Sequence, residues 1–368
     1  MYKGNNSFKN KKEIIMYFIR LTTAGIAMIF FYLFTGIYLS YGQQNDKQFL
    51  AVCVAYYNVE NLFDTINDPD RNDDDFTPEG SNRWTSERYY EKLDRLAEVI
   101  SKLGLEITPD GPAVIGLSEV ENEEVVQDLA RQERIKDRNY QVIHYRSPDR
   151  RVDNAFMYNP KYFEVTNTKP VPTIVPGRPD FRTRDQLVVS GLMLGEPMHF
   201  IVVHWPSRRG GEARSRPLRI AAADIARSII DSLKTEDPDA KVIFMGDLND
   251  DPTDISVKRH LDAHGDKNKL EEGQLYNPFV EFARRGIGTL AWRDSWNLFD
   301  QIILTQSLLG DDYSTFKYHR AEVFNRPFLR QPSGRFQGYP FRSYGGGVYL
   351  GGYSDHFPTY VFLIREIN

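Results

Sequence analysis

The chain has 368 residues, of which 26% are charged and 41% hydrophobic, a composition that excludes disordered and fibrous proteins and is ordinary for a globular enzyme. Its formal net charge is −5, which excludes polyanion binding through a general basic field, so any such binding requires a local patch. The single cysteine, Cys53, excludes an intramolecular disulfide, and its apolar surroundings predict a small core residue.

Residues 1–48 differ in composition from the rest of the chain. Four lysines and an arginine precede an uncharged stretch, residues 21–44, which contains AGIAMIFFYLFTGIYL. A basic region, an apolar stretch and small residues before Gln43 together predict a signal peptide. About 20 apolar residues also suffice to span a bilayer, so an uncleaved membrane anchor is the alternative. We therefore expect an exported protein, either periplasmic or secreted, or tethered through this segment.

The chain after residue 48 alternates short apolar runs with polar turns. Runs rich in β-branched and aromatic residues predict strands at residues 49–58, 113–117, 140–145, 153–158, 165–175, 187–194, 198–203, 241–245, 298–304 and 357–364. Apolar residues spaced three and four apart predict one helix that ends at Gly104 and another from near Pro217 to Leu233. Residues 317–352, rich in Gly, Arg and aromatic residues, predict an irregular segment.

Many short strands with two or three intervening helices predict two sheets packed face to face, with the helices outside. The sequence shows no repeat at a fixed period and no linker after residue 48. We therefore expect one catalytic domain over residues 49–368.

A polar, acidic stretch follows the first predicted strand. Its residues Asp68, Asp70, Asn72, Asp74 and Glu79 partly match the spacing of a calcium-binding loop, but Asp73 occupies the position at which the turn needs Gly. We interpret the stretch as a solvated loop.

The stretch KVIFMGDLNDDP, residues 241–252, is the strongest candidate for chemistry. A short apolar strand ends in Gly246 and is followed by polar residues, which is how many α/β enzymes build a site. Asp247 and Asn249 are two apart, so in an extended chain their side chains would point to the same side. A carboxylate beside an amide suits a phosphate held near a metal ion. An Asx-rich turn that only closes the strand is the alternative.

Further polar residues lie at or in other predicted strands: Asn58, Glu119, His204, Asp300, Asp355 and His356. A single histidine or glutamate in such a place is more often structural or on the surface. Their joint occurrence at strand ends predicts a shared site.

These residues occur in motifs that resemble those of the endonuclease/exonuclease/phosphatase superfamily. The motifs, in chain order, are YNVENLF with Asn58, GLSEVEN with Glu119, VVHWPSR with His204, MGDLND with Asp247 and Asn249, LFDQIIL with Asp300, and GGYSDHFP with Asp355 and His356. The resemblance covers nearly all of residues 50–364. Within the superfamily, the sequence resembles an exported bacterial branch. It implies an α/β four-layer sandwich of two mixed sheets with helices outside, and a site at one edge.

The resemblance also implies roles for these residues. Glu119 is the foremost metal ligand, with Asn58 and Asp355 beside it, and oxygen ligands favour Mg²⁺ or Mn²⁺. Asp300 would orient His356, which either takes a proton from water or, when protonated, binds the phosphate. Asp247 would orient the water or protonate the leaving group. The remaining two residues, Asn249 and His204, would donate hydrogen bonds to phosphoryl oxygens.

Basic and aromatic residues suggest further substrate contacts. Arg208 begins a cluster of arginines that extends to Arg219, and such a cluster fits either a phosphate-rich substrate or a solvated face. Arg184 is a weaker candidate for the same role. Three aromatic residues of the Gly-rich segment, Tyr339, Phe341 and Tyr344, would stack on bases or sugars or serve only as packing, and we favour packing.

The sequence therefore predicts a metal-dependent phosphodiester hydrolase, foremost an exported endonuclease with nucleic acid as its substrate. The alternative is a phosphatase or sphingomyelinase-like hydrolase of inositol phosphates or phospholipids, which the acidic net charge supports. A catalytically inactive binding module is a third class, and the intact residue set argues against it. We expect a monomer without an obligate protein partner.

Overall fold

The computed structural model describes residues 47–149 and 151–367. Residues Phe49–Ile367 form one compact unit. The predicted signal peptide or membrane anchor, residues 1–48, falls outside the described part of the chain except for its last two residues. Over the described ranges, no helix combines the length and the apolar character needed to cross a membrane.

The strands of the described residues, numbered in chain order, are β1 Gln48–Leu62, β2 Pro112–Val120, β3 Gln141–His144, β4 Asp153–Tyr158, β5 Phe163–Val171, β6 Gln186–Met193, β7 Glu196–His204, β8 Val242–Asp247, β9 Ala263–His264, β10 Leu275–Tyr276, β11 Leu290–Trp292, β12 Ser295–Asn297, β13 Asp300–Leu304, β14 Lys317–Val323, β15 Tyr344–Gly345, β16 Val348–Tyr349 and β17 Thr359–Ile367. The α-helices are α1 Ser86–Lys102, α2 Glu123–Ala130, α3 Glu212–Glu236 and α4 Phe279–Arg284.

Two mixed sheets contain most of these strands. The first sheet has the order β14-β17-β1-β2-β4-β3, and the second has the order β5-β6-β7-β8-β13-β10-β9. The pair β1 and β2 is parallel in the first sheet, and the pair β7 and β8 is parallel in the second. Each parallel pair has antiparallel neighbours, so both sheets are mixed, as predicted.

Strand β1 shows how the first sheet buries both faces. Val54 and Tyr56 lie in the core between the two sheets, whereas Cys53, Ala55 and Tyr57 lie in the core beneath α1 and α2. This follows from the alternation of side chains along a strand. Cys53 is fully buried, which confirms its prediction as a core residue.

The second sheet is built in the same way. Val202 and Met245 face the first sheet, while Val203 and Phe244 pack with Ala222 in the core beneath α3. The layers are therefore helix, sheet, sheet and helix, which confirms the predicted four-layer α/β sandwich.

Helix α3 begins five residues earlier than predicted. Pro217 lies inside it, although proline removes a backbone donor within a helix. Local contacts support the extra turns, because Ser215 Oγ donates to Gly211 O and Arg216 pairs with Glu212 across one turn.

The prediction of an irregular segment over residues 317–352 was wrong at both ends. Strand β14, Lys317–Val323, pairs antiparallel with β17, and β15 and β16 form a small hairpin. Strand β14 lies at the edge of the first sheet and most of its side chains are partly exposed, so its apolar alternation is weak. Helix α2 was also missed, although Asn122 caps it by accepting a hydrogen bond from the N–H of Val125.

Candidate active site

Three of the predicted site residues lie side by side on neighbouring strands of the second sheet. His204 ends β7 and Asp247 ends β8, and the two are register partners. Asp300 begins β13 and is the register partner of Asp247 on its other side. All three side chains are buried. The pairing of these strands therefore brings together residues that are up to a hundred positions apart in sequence.

Asn58 connects this row to the first sheet. Its side-chain amide donates to Asp247 Oδ2 at 3.1 Å and to Glu119 Oε1 at 3.2 Å. Its backbone oxygen accepts a hydrogen bond of 2.7 Å from Ser354 Oγ, which fixes the loop that carries His356. The site thus lies where the ends of strands from both sheets meet.

Glu119 reaches this site because strand β2 is irregular at that residue. The register of β2 with β4 shifts between Ser118 and Val120, which is the pattern of a β-bulge. Glu119 itself has φ of 67°, a left-handed conformation that costs a non-glycine residue about 1 kcal/mol or more. The backbone N–H of Asn61 donates to Glu119 Oε2 at 2.9 Å and holds the carboxylate in place.

His356 and Asp300 form a buried pair. Nδ1 of His356 lies 2.7 Å from Asp300 Oδ2. Nε2 lies 3.9 Å from Asp247 Oδ2 and 3.8 Å from Asp355 Oδ1, so it faces the other carboxylates. Burial by itself lowers the pKa of His356, but the three carboxylates outweigh burial and hold this pKa well above its usual range.

The other two titratable groups of the row have shifted pKa values as well. Burial raises the pKa of Asp247 to about 7, against the opposing effect of His356. Burial, with smaller effects from Arg184 and His356, holds the pKa of His204 well below its usual range, so its imidazole is neutral at pH 7. His204 Nε2 lies 3.6 Å from Asp247 Oδ2.

The geometry of Asp247 and Asn249 differs from the prediction. Strand β8 ends at Asp247, and Asn249 has φ of 50°, so the two do not belong to one extended segment. Asp247 Oδ1 accepts the N–H of Asn249 at 2.9 Å, which makes an Asx turn. The Asn249 side chain donates to Trp205 O at 3.0 Å and stays beside the site. The stretch therefore contains the Asx turn that was considered as the alternative, and the catalytic role of Asp247 and Asn249 stays a prediction.

The sequence model of the endonuclease/exonuclease/phosphatase family matches residues 53–365. The chain belongs to this family. Its members hydrolyse phosphodiesters and phosphate monoesters with divalent metal ions, and the chain is accordingly a phosphoester hydrolase of this family. No match was found among curated proteins.

Solved structures of the same fold include three informative examples. TDP2 of D. rerio complexed with a single-strand DNA product has a TM-score of 0.51 and 15% identity, over 85% of this chain and 98% of that chain. Mannosyl-6-phosphatase of Bacteroides thetaiotaomicron has a TM-score of 0.50 and 16% identity, over 85% and 99%. The human Nocturnin catalytic domain with bound sulfate has a TM-score of 0.50 and 13% identity, over 87% and 98%. These similarities show the fold.

The residues of the site fit a hard divalent cation. Among the described residues, five carboxylates gather here: Glu60, Glu119, Asp247, Asp300 and Asp355. They face three cationic groups, Lys92, Arg342 and His356, which leaves a surplus of negative charge. Burial and the neighbouring Asp355 raise the pKa of Glu119, which forms no ion pair with the described residues. An oxygen-rich, negatively charged site of this kind suits Mg²⁺ or Mn²⁺.

Two candidate donor sets differ. One oxygen or nitrogen atom from each of Asp247, Asp300 and His356 lies within 4.8 Å of the others, which is close enough for the three to surround a metal ion. The 2.7 Å contact of His356 with Asp300 has the length of a hydrogen bond, however, so a proton occupies the space between them. We favour Glu119 and Asp355 as the metal-binding carboxylates. Asn58 presents its NH₂ group to Glu119, and a cation on its oxygen would require the opposite amide orientation.

Sequence reasoning did not assign three charged residues to the site: Lys92, Glu60 and Arg342. Lys92 of α1 is buried and donates at 2.7 Å to both Ser343 Oγ and Tyr353 O. Its ammonium lies 3.9 Å from Glu60, and Glu60 lies 3.6 Å from Arg342, which in turn pairs with Asp355. A lysine one turn before Leu96 on the apolar stripe of α1 was the available signal for Lys92. No local pattern marks Arg342.

The predicted substrate-binding arginines make internal contacts. Arg184 donates to His204 O at 3.1 Å, to Trp205 O at 2.8 Å and to Asp149 at 2.9 Å, so it supports the end of β7. Arg208 donates to Asn249 O at 2.8 Å and pairs with Asp250 and Asp254. Contact of either arginine with substrate stays a prediction.

The aromatic residues of the Gly-rich segment are engaged within the protein. Phe341 packs against Tyr353, and Tyr344 packs against Trp84 and Tyr349. Tyr339 donates a hydrogen bond of 2.6 Å to Asp294. The preference for packing over base stacking agrees with these contacts.

Proposed function

We propose that this chain is a Mg²⁺- or Mn²⁺-dependent phosphodiesterase that cleaves nucleic acid internally. The observation that carries the proposal is the meeting of the Asp300–His356 pair with Asp247, Asn58 and Glu119, next to two site residues that line an open cleft. Asn249 and Asp355 line that cleft, whose volume is about 1210 Å³. An open cleft has room for polymer on both sides of a phosphate, whereas a closed pocket would favour a terminal phosphate.

Each residue has a role that follows from its contacts. A bound divalent cation supplies a Lewis acid for the phosphoryl oxygens. Glu119 and Asp355 would hold it, with Asn58 orienting Glu119. Asp300 fixes the Nδ1–H of His356, and the charged ring donates from Nε2 to a phosphoryl oxygen.

Two further groups complete the site. Asp247, whose pKa is about 7, accepts the proton of the attacking water as the new P–O bond forms. The P–O bond to the leaving oxygen breaks, and that oxygen takes up a proton from solvent. Neutral His204 and the amide of Asn249 donate to the phosphate, because both lie beside Asp247 at the ends of β7 and β8. The TDP2 structure with a single-strand DNA product supports the idea that this fold accommodates a nucleic-acid strand.

A phosphatase of small phosphorylated molecules, or a phospholipid hydrolase, is the second candidate. The net charge of −5 favours it, as does the use of Arg184 and Arg208 in internal contacts. The same catalytic groups would serve either substrate class, so only the substrate separates the two candidates.

A parallel assay tests the proposal. The purified protein and its His356→Ala variant are incubated with Mg²⁺ and plasmid DNA, RNA, inositol phosphates or sphingomyelin. We expect nicking of plasmid DNA or fragmentation of RNA by the wild type, loss of that activity with EDTA, and none from the variant. Turnover confined to inositol phosphates or sphingomyelin would reject the nuclease and support the second candidate.

We also propose that the protein is exported. The basic and apolar composition of residues 1–44 supports this. Cell fractionation with N-terminal sequencing should find a mature chain that begins near Gln43 outside the cytoplasm, or the full chain in the membrane fraction. Full-length protein in the soluble cytoplasmic fraction would contradict export.

A further inference from the structure

The cleft extends well beyond the catalytic residues. Besides Asn249 and Asp355, it is lined by the loop after β7, by the hairpin of β11 and β12, and by the Gly-rich segment around residues 331–346. Arg208 and Tyr339, which were considered as substrate contacts from the sequence, lie in this outer part, but the hairpin of β11 and β12 has no predicted role.

The outer cleft is basic, although the chain as a whole is acidic. Five arginines and three acidic residues line it. Arg208 and Arg342 are paired with carboxylates. Arg209, Arg293 and Arg335 are exposed, and none of them forms an ion pair with another described residue. Three unpaired guanidinium groups in one cleft attract anions, phosphates above all.

Two large aromatic side chains lie exposed beside these arginines. Trp292 is 64% exposed and Phe336 is 52% exposed, and both line the cleft. Trp292 contacts no other aromatic ring among the described residues. The guanidinium carbon of Arg293 lies 5.7 Å from the centre of its ring. Phe336 touches Tyr339 and has Arg335 at 5.6 Å. Exposed rings beside cations are the usual surface for stacking bases.

The turn that follows Trp292 has a backbone conformation that costs conformational free energy. Arg293 and Asp294 form the tight turn between β11 and β12 with φ of 49° and 64°, which non-glycine residues adopt at about 1 kcal/mol or more each. Tyr339 locks this turn, because its hydroxyl accepts from Asp294 N at 2.8 Å and donates to Asp294 Oδ1 at 2.6 Å. The hairpin and the Gly-rich segment are therefore fixed to each other before any ligand arrives.

We propose that this outer cleft binds the nucleotides that flank the scissile phosphate of a single-stranded nucleic acid, an inference that rests on the proposed function. Bases stack on Trp292 and Phe336, and flanking phosphates contact Arg209, Arg293 and Arg335. Stacking needs free base faces, which a strand exposes and a duplex hides, so single strands bind more tightly than duplexes.

An anionic membrane is the competing ligand, because tryptophan, phenylalanine and arginine also occur at lipid interfaces. The structure favours nucleic acid. The rings and cations line a cleft that is continuous with Asn249 and Asp355. Membrane binding would instead require them on a protruding surface.

Binding measurements test the inference without cleavage. The full-length chain carries His356→Ala to block turnover, and Mg²⁺ is present. Fluorescence anisotropy measures the Kd for a fluorescein-labelled 12-nucleotide deoxythymidine strand and for a 12-base-pair duplex. Trp292→Ala and Phe336→Ala should each raise the single-strand Kd about fivefold or more. Arg293→Ala and Arg335→Ala should weaken binding and reduce its salt dependence.

Matched controls come from outside the cleft. Arg178 is exposed, has no acidic partner among the described residues and lies 5.6 Å from the Phe181 ring, so Arg178→Ala removes a similar arginine. Tyr90→Ala removes an exposed aromatic ring of α1. Both should leave the Kd unchanged.

The outcomes separate this inference from the proposed function. Unchanged single-strand Kd values in the Trp292 and Phe336 variants would overturn the inference even if the wild type cleaves DNA. Loss of binding in those variants supports it, and an accompanying failure of the wild type to cleave any nucleic acid would reject the proposed function alone. Binding to phosphatidylserine-containing vesicles is measured for the same variants. If Trp292→Ala and Phe336→Ala weaken binding to these vesicles but not to the single strand, the inference is overturned in favour of a membrane surface.

Discussion

Nδ1 of His356 lies 2.7 Å from Oδ2 of Asp300, although 56 residues separate the two in sequence. Asp300 is held by β13 and His356 by the loop before β17, so the pair joins the second sheet to the first. Neither residue pairs with a lysine or arginine among the described residues. The pair therefore acts as one unit, in which the carboxylate fixes both the orientation and the charge of the ring.

Catalysis should depend on this pair non-additively. His356→Ala should lower kcat by about three orders of magnitude or more, and Asp300→Ala by a similar factor, because the ring loses its orientation and its counter-charge. The double variant should be scarcely worse than His356→Ala. The kcat of the wild type, the two single variants and the double variant is measured from initial rates at saturating Mg²⁺ in one buffer. Strict additivity of the losses in log kcat would show that the two residues act independently.

Glu119 should control metal affinity. Glu119→Gln keeps the size of the side chain but removes the charge that would hold a cation, so Mg²⁺ binding should weaken by about tenfold or more with folding retained. Isothermal titration calorimetry with Mn²⁺ or Mg²⁺ measures this directly. Glu124→Gln, an exposed residue in the first turn of α2, is the matched control. Wild-type affinity in the Glu119 variant would remove Glu119 from the metal site.

Arg219 should matter for stability, unlike the neighbouring arginines. It is fully buried, its Nε lies 2.7 Å from Asp250 Oδ1, and its Nη1 lies 2.8 Å from Ser215 Oγ. Arg219→Leu leaves part of the charge of Asp250 uncompensated and should lower the free energy of unfolding by about 3 kcal/mol. Urea denaturation is the measurement. Arg216→Leu, which removes only an exposed pair with Glu212, should leave the free energy of unfolding almost unchanged. Equal effects of the two would contradict a structural role for Arg219.

Glu121 should make stability depend on pH. Burial raises its pKa to about 8, helped by the carboxylates of Asp64 and Asp73, while the backbone N–H of Asp64 acts against them. The folded protein thus holds a proton that the unfolded chain releases near its ordinary pKa of 4.5. The contribution of Glu121 is therefore largest at acidic pH, and the free energy of unfolding falls as pH rises from about 5 to 8, by on the order of 4 kcal/mol.

Glu121→Gln imitates the protonated acid and should flatten this dependence. Urea denaturation at several pH values measures the slope, with Glu124→Gln as the control. A slope identical in wild type and Glu121→Gln would show that Glu121 does not bind the extra proton. The burial of Asp73 also revises the interpretation of the acidic stretch as a solvated loop, because this carboxylate is not exposed to solvent.

Local sequence predicted the parts of the site that depend on strand ends. Asn58, Glu119, Asp247 and Asp300 follow or begin apolar runs, so local sequence was enough to place them at strand ends. Ser343 N donates to Glu60 Oε2 across 283 residues, and no local pattern encodes such a contact. The roles of Glu60 and Arg342 depend on how the Gly-rich segment folds back on β1, which only the tertiary structure determines.

The arginine cluster is a second feature that could not be predicted from the sequence alone. The sequence presents Arg209, Arg216 and Arg219 as one basic group, yet one lines the cleft, one lies on the surface and one is buried. The phase of α3 separates the last two, because Arg219 precedes Ala222 on the buried face. Trp292 was missed because a short hairpin of three-residue strands has too little periodicity to predict.

The bond from Asn58 to Asp247 has a consequence for how activity arises during synthesis of the chain. Asn58 comes near the start of the compact unit and His356 near its end, and each sheet contributes only part of the reacting groups. A ribosome must release nearly the whole polypeptide before the last strand, β17, can dock and bring His356 to Asp300. Under the proposed roles of these residues, a nascent or truncated chain should be inert toward phosphate esters, and the cell that makes the enzyme would be exposed to its hydrolytic activity only after folding is complete.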